Sequence, residues 1–432
     1  MNRISNHISS IKNKGLVEFI RKIRLLNIMI FEITWFVIFL PISIFLLLII
    51  RLASPFLVIR LERLISWRIG HYAGNTDMYL CEKKSGINFS SSRTFDIWFD
   101  RTKPCNLQLR LMLRRVINIY PRWLVQPVHI LNNWLPGGSK HIIPETACND
   151  RDILNLTNNL CSSSNFKLTT EEEIRGRSEL EKLGVKNQSK FVCLIVRDSA
   201  YLKEQKKKNF TGVDWTYHDF RDSEIKTYEL AAEELASNGY YVIRMGTKVN
   251  TEIKSNNPMI IDYAVNAMRS DFLDIYLGAK CEFCITTSTG YDAIPRLFRR
   301  PVVQVNIPSV EHFYSFLPNS LAIFRKVKDT NTGQYLSLKS IIDSGVGRYD
   351  SSDIHKENCI ELIENSPEEI KDVVTEMMLR VNGKWHDNWY DSQARSSVES
   401  IYSKSKLNGK ILSRFGTAFL KDNLYLLEYN ND

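Results

Sequence analysis

Residues 191–199, Phe191-Val192-Cys193-Leu194-Ile195-Val196-Arg197-Asp198-Ser199, read as a buried strand that delivers a charged turn. Six consecutive apolar residues ended by polar ones have the length and composition of a strand covered on both faces. The unit returns downstream. Tyr240 to Met245 is a strand ended by Gly246, Met259 to Ile261 a third, Phe283 to Thr286 a fourth, and Val302 to Val305, behind Pro301, a fifth. Between them Asp222 or Ser223 can cap a helix through Glu234 to Gly239, Ser270 caps one to Ala279, and Thr289-Gly290 opens another. Strands alternating with helices at this spacing predict an α/β fold with a parallel, doubly wound sheet.

In such a sheet ligands bind beyond the carboxyl ends of the strands. The first strand delivers Arg197-Asp198-Ser199, the second Arg244 with Gly246 just beyond, and the fourth Thr286-Thr287-Ser288-Thr289-Gly290. Arginine presents a fixed fork of donors that suits phosphate oxygens, and a glycine lets the next helix offer backbone N–H groups to an anion. The diphosphate-binding candidates are therefore Arg197, Asp198, Arg244, Gly246, Thr287, Ser288, Thr289 and Gly290. The competing reading pairs each arginine with a nearby carboxylate such as Asp198 or Asp262 and leaves the hydroxyls as helix caps.

Absent motifs narrow the chemistry. The chain has no Walker lysine, G-x-G-x-x-G, G-x-S-x-G or H-E-x-x-H motif, which removes the common nucleotidase, dehydrogenase, hydrolase and metalloprotease classes. Asp150-Arg151-Asp152 has the D-x-D form used to hold a divalent ion, but it follows a loop and is expected to cap a helix. Cys281 and Cys284 have metal-pair spacing, yet in a strand positions i and i+3 point to opposite faces. No metal site and no cofactor are expected. Eight cysteines scattered over 432 residues suit a reducing compartment rather than a disulfide framework.

Charge is concentrated at one end. The net charge is +9, and residues 1–68 hold ten cations against Glu18, Glu32 and Glu62, so the rest is nearly neutral. That distribution argues against nucleic acid and for anionic lipid. Ile33 to Ile50 carries no charge and Arg51 closes it, long enough to cross a bilayer, with Pro41 favouring a kink. A retained anchor over 33–51, transmembrane or re-entrant, is expected, with the folded body on the cytoplasmic face.

The first half is harder to read. Phe56 to Arg60 is a short strand, residues 69–74 a glycine-containing loop into a helix holding Asn75 to Leu80. Residues 106–118 form a surface helix with Leu107, Leu111 and Val116 on its apolar face and Arg110, Arg114 and Arg115 opposite. Ser366-Pro367-Glu368-Glu369 is a capping box opening a C-terminal helix.

Several runs together resemble a bacterial family of surface-polysaccharide glycosyltransferases: Val196 to Leu202, Phe220-Arg221-Asp222-Ser223, Val242 to Gly246, Ile261 to Ala264, Ser270 to Ile275, and Cys281 to Gly290. Arg68-Ile69-Gly70-His71 and Asn75-Thr76 are similar too, with Asp77 where the family usually has glutamate. The resemblance covers roughly residues 55–380. It implies a GT-B architecture of two Rossmann-like domains, a metal-independent transferase, a nucleotide-sugar donor on the C-terminal domain, and a glycan or lipid-linked acceptor at a membrane. The arginine-bearing strand is distantly similar to that of fucosyltransferase-like enzymes. The expected organisation is a basic segment 1–32, the anchor, an acceptor domain 55–185, a nucleotide-sugar domain 188–365 and C-terminal helices 366–432. His71 and Asp77 are alternative bases for the acceptor hydroxyl. A pyruvyl or other group transferase on this scaffold, or a non-catalytic glycan assembly protein, is the alternative.

Overall fold

A computed structural model describes residues 2–87, 93–144, 151–158, 161–201, 203–204, 216–405 and 407–427; Cys148, Asp150 and Leu202 lie outside them. The chain is mixed α/β, with two parallel sheets in sequence and one long apolar helix in front.

That helix, α1 (Asn2–Ala53), runs without interruption through Pro41. Its Lys22–Ala53 portion is long and apolar enough to cross a membrane. Pro41 does not end the helix, which continues as one element.

The first lobe is a small parallel sheet in the order β1 (Val58–Leu64), β2 (Thr94–Asp100), β3 (Asn118–Ile119). It is smaller than the doubly wound domain expected, although an isolated parallel bridge, Leu61 to Ile142, extends it. The first strand begins two residues later than expected, because Phe56 stays 84% exposed and the buried positions start at Val58. Paired carboxylates lie inside this lobe: Arg60 donates to both oxygens of Asp96 at 2.6 and 2.8 Å, and Asp100 accepts from the Tyr72 hydroxyl and from Arg110 Nε, each at 2.6 Å. Carboxylates this deep persist only because each is paired.

Helix α2 (Ile69–Lys84) starts at Ile69, so residues 69–74 are its first turns rather than a loop. Helix α3 (Leu107–Leu113) turns the opposite way from the expected face. Leu109, Met112 and Leu113 are buried and Leu107 and Leu111 are exposed, since Asn106 caps the helix and fixes its rotation. Helix α4 (Arg122–Trp134) packs on α1, and α5 (Thr170–Lys182) begins with a complete capping box.

The second lobe carries the larger sheet. Its strands are β4 (Phe191–Ile195), β5 (Tyr241–Arg244), β6 (Ile260–Asp262), β7 (Cys284–Thr286), β8 (Val302–Ile307), β9 (Leu321–Phe324) and, past an antiparallel pair β10 (Lys326–Asp329) and β11 (Ile360–Ile363), β12 (Arg414–Phe415). All pairings in the seven-stranded sheet are parallel, in the order β12-β9-β8-β7-β4-β5-β6. Read from β6, the first six follow the Rossmann order third, second, first, fourth, fifth, sixth, with β12 added at the far edge. Helices α6 (Glu229–Ser237), α7 (Asp271–Lys280) and α8 (Ala293–Leu297) are the crossovers. Ser270 caps α7 as expected, its hydroxyl accepting from Leu273 N–H. The C-terminal helix Pro367–Val381 packs on α6, so this tail belongs to the second lobe.

The lobes share a core. Tyr72, Ala73, Leu109 and Met112 of the first pack with Ile275, Ala293, Ile294 and Leu297 of the second. Two glycines meet at this boundary: a Cβ on Gly70 would lie 3.0 Å from Gly290 Cα. Any side chain at 70 would force the lobes apart, which explains a glycine in the first turn of α2 despite its helix cost.

Candidate functional site

Strand order reverses between β4 and β7, so the crevice of this sheet lies past Ile195 and Thr286. The two strand ends are stitched together there. Thr287 N–H donates to the Ile195 carbonyl at 3.3 Å, and Arg197 N–H donates to Thr287 Oγ1 at 2.9 Å. Thr287 is fully buried, so its hydroxyl fixes the geometry of the Arg197 turn.

The next two residues are different. Ser288 sits at φ +57°, a left-handed conformation that a non-glycine residue adopts only when its surroundings impose it. Ser288 Oγ and Thr289 Oγ1 are both buried with no hydrogen-bond partner among the described residues. Two orphaned hydroxyls side by side are costly unless something binds them. Two arginines lie near this turn. Arg221 Nη2 donates to the Ser288 carbonyl at 2.6 Å, and Arg197, with a side chain 16% exposed, meets Asp222 through Nε at 3.3 Å. Burial, and then the positive charge of Arg221, pushes the Arg197 guanidinium down to about 10. Asp222 and Asp219 act against that shift, so the depression reflects burial more than a surplus of charge.

The other expected donor residues do not join this cluster. Arg244 ends β5, but its side chain is 1% exposed, with Nη1 3.2 Å from both oxygens of Asp262 and Nη2 donating to the Thr251 carbonyl at 3.0 Å. The register pairs Arg244 directly with Asp262 on β6, so its charge is answered within the sheet. Asp198 accepts from the Ala200 and Asn250 N–H groups at 2.8 and 2.9 Å and so braces the loops after β4 and β5. A Cβ on Gly246 would lie 2.8 Å from Val249, which makes this glycine a packing requirement of the turn. Gly290 does not open a helix: α8 starts at Ala293, has five residues, and carries Asp292 at its start, accepting from Thr286 Oγ1 and Tyr314 Oη at 3.2 Å each. A carboxylate already occupies the helix end expected to receive an anion.

His71 and Asp77 separate. His71 follows Gly70, which touches the Gly290 end of the switch-point turn, and its Nδ1 lies 3.3 Å from Asn75 Oδ1. Six residues later along α2, about 240° round the axis, Asp77 is buried. It pairs with Arg299 at 2.7 Å and accepts from Asn165 Nδ2 at 2.8 Å. It lines a cavity of about 260 Å³ together with Pro301 and Ser320, where β8 and β9 begin, at the opposite sheet edge from the crevice. The carboxylate ties the lobes together there. Asp152 likewise accepts from Leu156 and Thr157 N–H at 2.7 Å, closing a turn instead of the helix expected.

No family model matches the chain, and no curated protein matches it. Among solved structures it is similar to a glycosyl transferase family 9 protein from Veillonella parvula DSM 2008, at TM-score 0.37 and 10% identity over 61% of this chain and 85% of that one. It is also similar to E. coli ADP-heptose LPS heptosyltransferase II, at TM-score 0.36 and 10% identity over 61% and 90%. At this overlap the chemistry of the chain rests on its own residues.

Those residues gather at the switch point: the turn Thr287–Thr289, Arg197 with its partner Asp222, Arg221 on the Ser288 carbonyl, and, across the lobe boundary, the first turn of α2 with His71. Arg221 is the member that a search of strand ends misses, because it lies in a 3-10 turn (Thr216–Arg221) between β4 and α6 and reaches the site sideways. Its presence in the Phe220-Arg221-Asp222-Ser223 run was the only signal.

Proposed function

We propose that the chain is a glycosyltransferase that binds the diphosphate of a nucleotide sugar at the β4/β7 switch point and transfers the sugar to a glycan or lipid-linked acceptor. The observation that carries this reading is that the turn after β7 holds two buried hydroxyls without a partner among the described residues, Ser288 and Thr289, directly after Thr287, which binds the Arg197 backbone at the switch point of a Rossmann-order sheet. Two lobes of parallel α/β structure suit the GT-B arrangement, in which donor and acceptor meet between domains.

The chemistry follows from charge. When the anomeric C–O bond breaks, negative charge develops on the departing nucleoside diphosphate, and Arg197 with its neighbour Arg221 stabilises it without a metal. The acceptor hydroxyl oxygen forms the new bond to the anomeric carbon and gives up its proton, for which His71, beside the crevice, is the nearer of the two candidate bases. Asp77 instead holds the interface through Arg299. The donor-binding set becomes Arg197, Arg221, Ser288 and Thr289, with Thr287 shaping the turn.

The test is to incubate the full chain in detergent with a panel of nucleotide sugars and assay release of nucleoside diphosphate. Turnover of at least one donor supports the reading. Absence of both turnover and nucleotide binding across the panel overturns it.

A further inference from the structure

The apolar helix is pinned to the body at both ends of its charge-free segment. At one end Glu32 accepts from Arg122 at 2.5 Å and from Gln126 at 3.2 Å. At the other, Arg51 donates to Asn132 Oδ1 at 3.0 Å and to the Pro136 carbonyl at 3.1 Å. Between them Phe36 and Phe39 meet Trp134 and Trp123, and Leu47 and Ile50 pack with Val125 and Val128 of α4 and with Leu61 and Phe99 of the first sheet. From Glu32 to Arg51 is nineteen residues, about 28 Å of helix, almost the thickness of a bilayer's hydrocarbon core at roughly 30 Å.

A helix crossing the bilayer over this segment would drag α4, with Gln126, His129, Asn132 and Asn133, and the sheet beneath it, through the hydrocarbon. Backbone and side-chain polar groups cannot be left unsatisfied there. The opposite face of α1 is nevertheless uniformly apolar and exposed, including Ile33, Val37, Ile38, Phe45, Leu48 and Leu52. Trp134, 69% exposed and in ring contact with Phe36 of α1, and the exposed Leu135 and Phe56 add further apolar surface. Arg51 and Lys140, which donates to Ser54 Oγ at 2.8 Å, lie at the α1 C-terminus, and the basic residues Lys22 and Arg24 precede the segment.

We propose that α1 and α4 together form an in-plane docking platform on an anionic lipid bilayer, with residues 33–51 lying half-sunk in one leaflet and the body on that same side. The partner is lipid because an extended apolar face with indole rings and guanidinium groups at its margin matches the acyl-to-headgroup boundary of an anionic membrane. The proposal rests on the membrane attachment contained in the functional reading, and it adds that attachment is monotopic, which brings the lobe boundary near the headgroups where a lipid-linked acceptor would present its sugar.

The test uses the full chain with an epitope tag before Met1, reconstituted into sealed vesicles of phosphatidylethanolamine and phosphatidylglycerol, with vesicles of phosphatidylcholine as control. Protease added outside should remove the tag and cut the body in the same population of molecules, because both lie on one side. Tag protection in molecules whose body is cleaved means a crossing helix and overturns the in-plane proposal while leaving membrane attachment intact. Failure to float with either vesicle overturns attachment itself. Trp134→Ala, at a position 69% exposed, should weaken flotation with the anionic vesicles by roughly tenfold, with the melting temperature measured alongside because the ring also meets Phe36; an unchanged partition removes α4 from the platform.

Discussion

Arg197 and Arg244 stand at equivalent places, each at or just past the end of a parallel strand of one sheet, yet they have opposite fates. Arg244 lies opposite Asp262 in the register, loses its exposure, and becomes part of the sheet's internal electrostatics. Arg197 lies at the switch point, where the neighbouring strand β7 supplies hydroxyls instead of a carboxylate, and where a second arginine adds charge. Both arginines meet a carboxylate, but Asp262 faces Arg244 in the register and meets its Nη1 through both oxygens, whereas Asp222 comes from a loop and meets Arg197 through Nε at 3.3 Å; a cation at a strand end is open to a ligand where its partner leaves the fork of donors unused.

Removing each arginine should therefore damage different properties. Arg244→Ala leaves the Asp262 carboxylate without its partner in a nearly closed site and should destabilise the fold by about 3–5 kcal/mol, read as a shift in the denaturant midpoint. Nucleotide affinity of the protein that remains folded should change little. The opposite pattern, intact stability with lost affinity, would invert the comparison.

Arg197→Ala should instead weaken nucleoside diphosphate binding by about 1.5–3 kcal/mol, roughly ten- to a hundredfold, with a small change in melting temperature. Arg197→Lys sharpens the point, because it keeps the charge and loses the fork, and should recover only part of the affinity. Calorimetric titration against the three proteins reads this directly.

The lobe boundary gives a pH prediction. Glu172 on α5 accepts from Arg115, from Gln108 and from Thr169 N–H; burial works against its charge, but these partners hold it down to about 2. Its folded value lies below the unfolded one, so its contribution is present above about pH 4.5 and is lost as pH falls toward 2. Discounted for the partial exposure of Arg115, it amounts to about 1–2 kcal/mol. Glu172→Gln should flatten the acid limb of the stability curve by that amount, checked by urea unfolding between pH 3 and 6.

The smallest effect concerns the orphaned hydroxyls. Ser288→Ala removes a buried donor with no partner, so stability should hold or rise slightly, while diphosphate affinity falls by about 0.5–1.5 kcal/mol. A loss of stability with no loss of affinity would mean that the hydroxyl serves the turn and not a ligand.

The second lobe was largely legible because its strands are continuous apolar runs closed by charged or glycine residues, as Phe191 to Arg197 illustrates. Its crossovers carry explicit caps such as Ser270. The first lobe was not, since Val58–Leu64 alternates with Arg60, Glu62 and Arg63, and the partner that lets Arg60 enter the interior, Asp96, is thirty-six residues away. Gly70 suggested a loop because nothing local shows that Gly290 will press against it. The choice between Arg197 and Arg244 also needed the strand order: both readings of an arginine, ligand fork or internal ion pair, fit the sequence until β6 is seen beside β5. Asp77 has the same history, its partner Arg299 lying more than two hundred residues on.

The most direct measurement is a crystal structure of the full chain with whichever nucleoside diphosphate the binding panel selects. The account predicts phosphate oxygens within hydrogen-bond distance of the Arg197 Nη atoms and of Ser288 Oγ or Thr289 Oγ1, with Arg244 still closed on Asp262. A diphosphate seated beyond β5 on an opened Arg244, or in the cavity at the other sheet edge beside Arg299 and Arg300, would contradict it.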